Sequence, residues 1–256
     1  MTRPRITLLT DFGTHDGFVG AVKAVLATLA PELAVDDVAH DIPRGDVRAA
    51  ARALARYWLR YPAGTIHMIV VDPGVGTARR GLACAAAGRL LVAPDNGVLT
   101  PVLRSAPNRS CVQIEEAGLA GPVSPTFHGR DVFAPAAAAL AGGRHWSTLG
   151  PPITDPVLLP EPQPVREGRG GRGEVVGVDR FGNVTTNLPG SWAWEGAVIE
   201  VAGQRLTVRR SYGEAGPGEP LALIDSEGWI ELAVRDGSAS ALFDLVEGMP
   251  VRLPPS

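Results

Sequence analysis

Along the first half of the chain the spacing of apolar residues switches repeatedly between strand and helix periods. "RITLLTD", Arg5 to Asp11, is a short apolar run that ends in an acid and is followed by Gly13, as a buried parallel strand does on reaching its carboxyl-end loop. Asp16 then stands where it would cap a helix. Phe18, Val22, Val25, Leu26 and Leu29 follow at helical spacing, one apolar stripe suited to packing on a sheet. "LAVDDVAHDI" is strand-like, and Asp46 opens a second amphipathic helix with Val47, Ala50, Leu54 and Trp58 on its buried side. "TIHMIVVD" is a third run of the first kind. "GLACAAAGRLLVAPDNG" predicts a hairpin turning at Gly88 and finishing in the polar turn Asp95-Asn96-Gly97.

This alternation predicts an α/β N-terminal domain, a mainly parallel sheet with flanking helices and ligands at the carboxyl ends of its strands. From Asp155 to Gly173 the sequence becomes rich in Pro and Gly, the composition of a linker. Beyond it the helical period disappears. "GEVVGVD", "AVIEVA", "RLTVRR", "PLALID", "WIELAV" and "PVRLP" recur between turn residues, which predicts a small all-β, barrel-like C-terminal domain. The expected division is therefore 1–160 for the α/β domain, 161–172 for the linker and 173–256 for the β-barrel.

Charge and cysteine usage narrow the chemistry. The 24 basic and 27 acidic residues nearly balance, so the chain lacks the electrostatic footprint of a nucleic-acid or anionic-membrane binder, and a small neutral or zwitterionic partner fits better. Cys84 and Cys111 lie far apart with no CxxC spacing, so reduced, partly buried thiols are expected. "MTRPRITLLTDFG" enters a strand pattern with an acid before any long apolar run, so neither a signal peptide nor a membrane span is expected, and the location expected is cytoplasmic.

Four stretches concentrate Asp, His, Asn and Arg beside glycine: "TDFGTHDGF", "VDPGVGTARR", "TFHGRDVFAP" and "VDRFGNVTTN". Singly, each acid reads more readily as a cap or turn residue. In this order, with "DSEGWIELAV" near the C-terminus, they resemble the S-adenosyl-L-methionine hydroxide adenosyltransferase family, which is related to enzymes that halogenate the same carbon. The resemblance covers nearly the whole chain. It implies a homotrimer with active sites at the subunit interfaces, and a metal-independent hydrolase with no cofactor, S-adenosyl-L-methionine being the substrate.

Carried over residue by residue, the resemblance implies a catalytic triad of Asp72, Arg79 and His128. Asp11 matches the acid that holds the two ribose hydroxyls, and Asp72 also borders the substrate. Asp179 matches the site of the methionine ammonium, Phe181 and Asn183 the adenine or ribose contact, and Ser226, Glu231 and the main chain around Val234 a second wall. Tyr212 is a possible stacking residue. The halogenating relatives carry an aromatic residue where Asp72 stands, so this chain departs from them where a halide would sit.

The chemistry agrees with these residue types. A sulfonium leaves as a neutral sulfide and needs no general acid, so the demand falls on the nucleophile: a water must be oriented in line with C5′ and relieved of a proton. Two other readings use the same residues. Asp11, Asp16, Asp72, His128 and Asp131 would suit a metal-dependent phosphatase or nucleotidase. A non-catalytic sensor of adenosyl compounds would keep Asp11 and Asn183 without needing Asp72 beside Arg79.

Overall fold

Strand β1 (Arg5–Thr10) lies between β2 (Ala34–Ala39) and β3 (Ile66–Val70), parallel to both, and this trio sets the rim on which the polar loops sit. The computed structural model describes residues 4–255; the first three residues of the expected leaderless N-terminus, and residue 256, lie outside the described residues. Two compact units divide the chain, one ending at Leu159 and the other beginning at Pro160.

The first unit is built on a seven-stranded sheet in the order β2-β1-β3-β5-β4-β6-β7, with β4 (Gly81–Ala86), β5 (Arg89–Pro94), β6 (Ser110–Gln113) and β7 (Pro152–Ile153) completing it. Strands β2, β1, β3 and β5 run parallel, whereas β4, β6 and β7 pair antiparallel. The sheet is thus mixed rather than mainly parallel. The reason is the hairpin at Ala87-Gly88, where both residues have positive φ and reverse the chain in two residues, leaving no room for a crossover helix.

Helices cover both faces, so strands β1 and β3 are nearly continuously apolar. On one face α1 (Phe18–Leu29) and α4 (Ala134–Ala141) bury Val22, Leu26, Ala137 and Leu140 against Ile6, Leu8 and Met68. On the other, α2 (Val47–Tyr57) and α3 (Thr100–Ser105) bury Leu54, Val102 and Leu103 against Leu9, Ile69 and Leu91. Each fully buried Leu or Val contributes about 1.5–3 kcal/mol. Asp46 caps α2 as the sequence predicts, accepting from Ala49 N at 2.8 Å. Asp16 does not cap α1. Gly17 takes that position with φ of 76° and no side-chain bond, and the stripe narrows to Val22 and Leu26, since Phe18 and Leu29 are exposed.

The cysteines also differ from expectation. Antiparallel pairing of β4 with β6 sets Cys84 directly opposite Cys111, their Cα atoms 4.1 Å apart, and the two are joined as a disulfide. Sequence spacing does not reveal this, because it follows from strand register and not from a local motif.

The second unit is an eight-stranded antiparallel sheet ordered β12-β11-β15-β9-β10-β14-β13, with β8 paired to β9. Its members are β8 (Val165–Glu167), β9 (Gly170–Val178), β10 (Val184–Pro189), β11 (Val198–Val201), β12 (Gln204–Thr207), β13 (Pro220–Ile224), β14 (Trp229–Val234) and β15 (Pro250–Leu253). A bridge from Val208 to Ala222 brings the two ends of the sheet together, so the unit is a nearly closed barrel around Val184, Ile199, Ile230 and Leu232. Within 161–172, β8 and the first residues of β9 are already paired strand. Helix α5 (Ala239–Phe243) is capped by the Ser238 hydroxyl, which accepts from Ala241 N at 3.1 Å.

Candidate functional site

Register places the acids of the first unit on one rim. Thr10 of β1 stands beside Val70 of β3, so Asp11 and Asp72 leave adjacent parallel strands within two residues of each other's level. Gly45 ties their loops: its amide donates to Asp11 Oδ2 at 2.8 Å, and a Cβ built on it would lie 3.5 Å from Pro73 Cβ.

After Asp72 the chain turns tightly. Val75 N donates to Asp72 O at 3.2 Å, and the Thr77 hydroxyl donates to Gly74 O at 2.7 Å. Gly76, at φ of 77°, approaches Pro125 so closely that a Cβ would stand 2.5 Å from the Pro125 carbonyl oxygen. This loop returns Arg79 onto the acid seven residues before it. Arg79 Nε donates to both Asp72 oxygens at 2.9 Å, and Nη2 also contacts Oδ2. Both side chains are nearly buried, 10% and 5% exposed, and the guanidinium lies 5.2 Å from the Phe133 ring centroid. A buried ion pair holds only when its desolvation is met by such convergent hydrogen bonds.

His128 completes the group. It precedes a single π-helical turn, Gly129–Phe133, that runs straight into α4, and its Nδ1 lies 2.7 Å from Arg79 Nη2. Wide turns of this kind recur at functional sites because they displace one residue from the regular helical ladder. A guanidinium has no lone pair to offer, so Nδ1 must be the acceptor and the imidazole carries its proton on Nε2. Gly129 is closely packed here: a Cβ would sit 3.1 Å from both Phe12 Cζ and Val70 Cγ1.

The arginine next to Arg79 has a different task. Arg80 Nε donates to Asp95 Oδ2 at 2.7 Å and its Nη1 to Asp155 Oδ1 at 2.9 Å, holding the polar turn after β5 to the segment after β7. Those bonds raise its pKa, the one to Asp155 most. Asn96 in that turn donates through Nδ2 to Val71 O at 2.9 Å, fixing the peptide plane that leads into Asp72. Sequence reading noticed this turn but assigned Asn96 no role; the signal was its place at a strand end beside the acid-bearing loops.

The metal reading fares poorly on this geometry. Asp72 already pairs with a cation, Arg79, and Asp131 with Arg130, whose Nε donates to it at 2.6 Å and lowers its pKa. Among the described residues no three His, Cys, Asp or Glu side chains gather as a metal-holding group.

In the second unit Asp179 Oδ1 accepts from Phe181 N at 2.8 Å and Asn183 N at 2.9 Å, while Asn183 Nδ2 donates to Oδ2 at 3.2 Å. Asp179 therefore builds its own turn as well as presenting a charge. Phe181 is 69% exposed, with the Arg180 guanidinium 5.8 Å from its ring centroid. Glu231 is buried on β14 and accepts the Tyr212 hydroxyl at 2.6 Å. Burial, that bond and the charges of Glu231, Asp179 and Asp225 all push the Tyr212 phenol up. The Tyr212 hydroxyl is thus tied to β14 by a hydrogen bond. Ser226 stands in the turn before β14, 3.4 Å from Glu227 Oε1, and Val234 is buried at the end of that strand.

Residues 6–150 match the family model for the SAM hydroxide adenosyltransferase N-terminal domain, and residues 173–252 that for its C-terminal domain. The chain belongs to this family. Among SAM hydroxide adenosyltransferase relatives, the (R)-S-adenosyl-L-methionine hydrolase of Thermus thermophilus is 47% identical, over 97% of this chain and 98% of that one. The protein of the same name from Salinispora tropica is 41% identical over 98% and 97%. A crystal structure of an uncharacterized conserved protein from Thermotoga maritima superposes with a TM-score of 0.90 at 34% identity, covering 98% of this chain and all of that one.

Proposed function

We propose that this chain hydrolyses S-adenosyl-L-methionine to adenosine and L-methionine by in-line attack of water on C5′. The observation that carries the mechanism is the continuous contact Asp72–Arg79–His128 at the rim of the first unit. Full-length relatives that bear the hydrolase name support the reaction.

Water oxygen forms the new bond to C5′ as the C5′–S bond breaks, its electron pair returning to sulfur, which leaves as a neutral thioether. The attacking water becomes strongly acidic as its oxygen bonds to carbon, so an ordinary carboxylate suffices as acceptor. Asp72 is that acceptor. Arg79 aims it, and occupies the lone pair of His128 Nδ1. With the other nitrogen protonated, His128 acts as a donor: its Nε2–H holds a water lone pair and orients the remaining one toward carbon.

Asp11 accepts the two ribose hydroxyls, an acceptor-only group facing vicinal donors. Asp179 meets the methionine ammonium, Phe181 offers a stacking face for adenine, and Asn183, Ser226, Glu231 and the main chain at Val234 supply the polar contacts of the second unit. The protein works as a homotrimer without a metal cofactor. Among the described residues no helix is long and apolar enough to cross a membrane.

Incubating the purified chain with S-adenosyl-L-methionine, with and without a chelator, and separating products by chromatography tests the reaction. Equal amounts of adenosine and methionine, unaffected by chelator, are expected. Loss of activity with chelator, or adenine as the released base, would overturn it.

A further inference from the structure

Asp11 depends for its position on the chain between Thr10 and Gly13, and that chain is gripped by a residue outside the candidate site. His40 follows β2, is 8% exposed, and stands level with Thr10 because Leu9 pairs with Ala39. Its Nδ1 lies 2.9 Å from the Thr10 hydroxyl, itself fully buried. Its carbonyl accepts from Gly13 N at 2.7 Å. The Thr10 oxygen also accepts from Phe12 N at 3.3 Å.

A threonine hydroxyl has one proton. Buried, it must donate that proton, and the acceptor within reach is His40 Nδ1. The imidazole proton is then on Nε2, which faces Asp37 Oδ1 at 3.1 Å, off the line of a good hydrogen bond. Asp37 in turn pairs with Lys23 of α1 at 2.9 Å. Of the two amides following Asp11, Gly13 N is thus held by the His40 carbonyl and Phe12 N by the Thr10 hydroxyl that His40 contacts, while the Asp11 carboxylate receives Gly45 N.

We infer that His40 is a positioning residue for the ribose-binding carboxylate, acting through Thr10 to fix the Asp11-Phe12-Gly13 turn. The inference rests on the proposed role of Asp11. It assigns His40 to binding rather than to the chemical step, since its contacts lead to Asp11 and none of them reaches Asp72, Arg79 or His128.

The test compares His40→Leu, His40→Asn and Thr10→Val in the full chain. An Asn amide oxygen can occupy the place of Nδ1 and accept from Thr10, whereas Leu cannot. In His40→Leu and Thr10→Val the adenosine Kd and the KM for S-adenosyl-L-methionine rise roughly tenfold, kcat stays within about threefold, and the double variant is no worse than either single one. His40→Asn returns Kd to within about threefold of the starting chain. Amide exchange at Gly45, read by NMR, quickens in His40→Leu while the interior of α2 is unchanged.

Equal losses in His40→Asn and His40→Leu, or an unaltered Kd in a folded Thr10→Val, would overturn the inference. So would a fall in kcat with KM intact. Gly45 exchange judges the clamp whatever the unaltered chain does with S-adenosyl-L-methionine, so a failed hydrolysis assay and a failed clamp are told apart.

Discussion

Asp72, Arg79 and His128 are separated by 49 residues between the last two, yet they form one hydrogen-bonded string. Their residue types and their places beside glycine were legible in the sequence; their division of labour was not, because a tautomer is decided by which atom faces which. Replacing Asp72 by Asn removes the proton acceptor while keeping its shape. Turnover should fall on the order of 10²–10⁴-fold, the usual contribution of a positioned base, with substrate affinity nearly kept. Asp11→Ala should do the reverse, weakening adenosine binding about 10–100-fold, as expected for a lost charge-assisted hydrogen bond, with a smaller effect on kcat. Steady-state kinetics beside calorimetric titration with adenosine separates the two. A near-normal kcat in Asp72→Asn would remove that residue from the proton's path.

At the scale of elements, the parallel run β2-β1-β3 and the cap at Asp46 follow from period and residue type alone, whereas the departures all have nonlocal causes. Antiparallel β4 and β5 depend on a two-residue turn, and the Cys84–Cys111 pair, 27 residues apart, depends on the register of β4 against β6. The π-helical turn after His128 is invisible to a 3.6-residue count, and β10 was hidden because "NVTTN" reads as polar site sequence rather than as a strand. Gly182 shows how tightly such a turn is drawn: at φ of 82°, its Cβ would lie 2.0 Å from Ser238 Oγ and 2.9 Å from Ser238 Cα. Gly182→Ala should therefore cost about 3 kcal/mol, combining a left-handed backbone penalty with overpacking against backbone that cannot withdraw. Chemical denaturation of the full chain measures it. A loss below about 1 kcal/mol would mean that the Asp179–Asn183 turn is not held by this contact.

For the molecule as a whole, the chain forms two units: a mixed sheet whose rim holds acids, a guanidinium and an imidazole, and a near-closed barrel that carries Asp179, Phe181 and the buried Glu231. The change of composition after Asp155 made the two-part organisation legible, since a long, helix-free run of short strands has few folded solutions other than a barrel or sandwich. How the barrel closes was not legible, because the Val208–Ala222 bridge joins segments with no shared pattern. In the proposed hydrolysis water attacks carbon rather than any other centre. Hydrolysis of S-adenosyl-L-methionine in ¹⁸O-enriched water, followed by mass spectrometry of the products, addresses this directly. One ¹⁸O atom at the 5′ oxygen of adenosine, with none in methionine, is the expected result; adenosine free of label, or label in methionine, would contradict displacement at C5′.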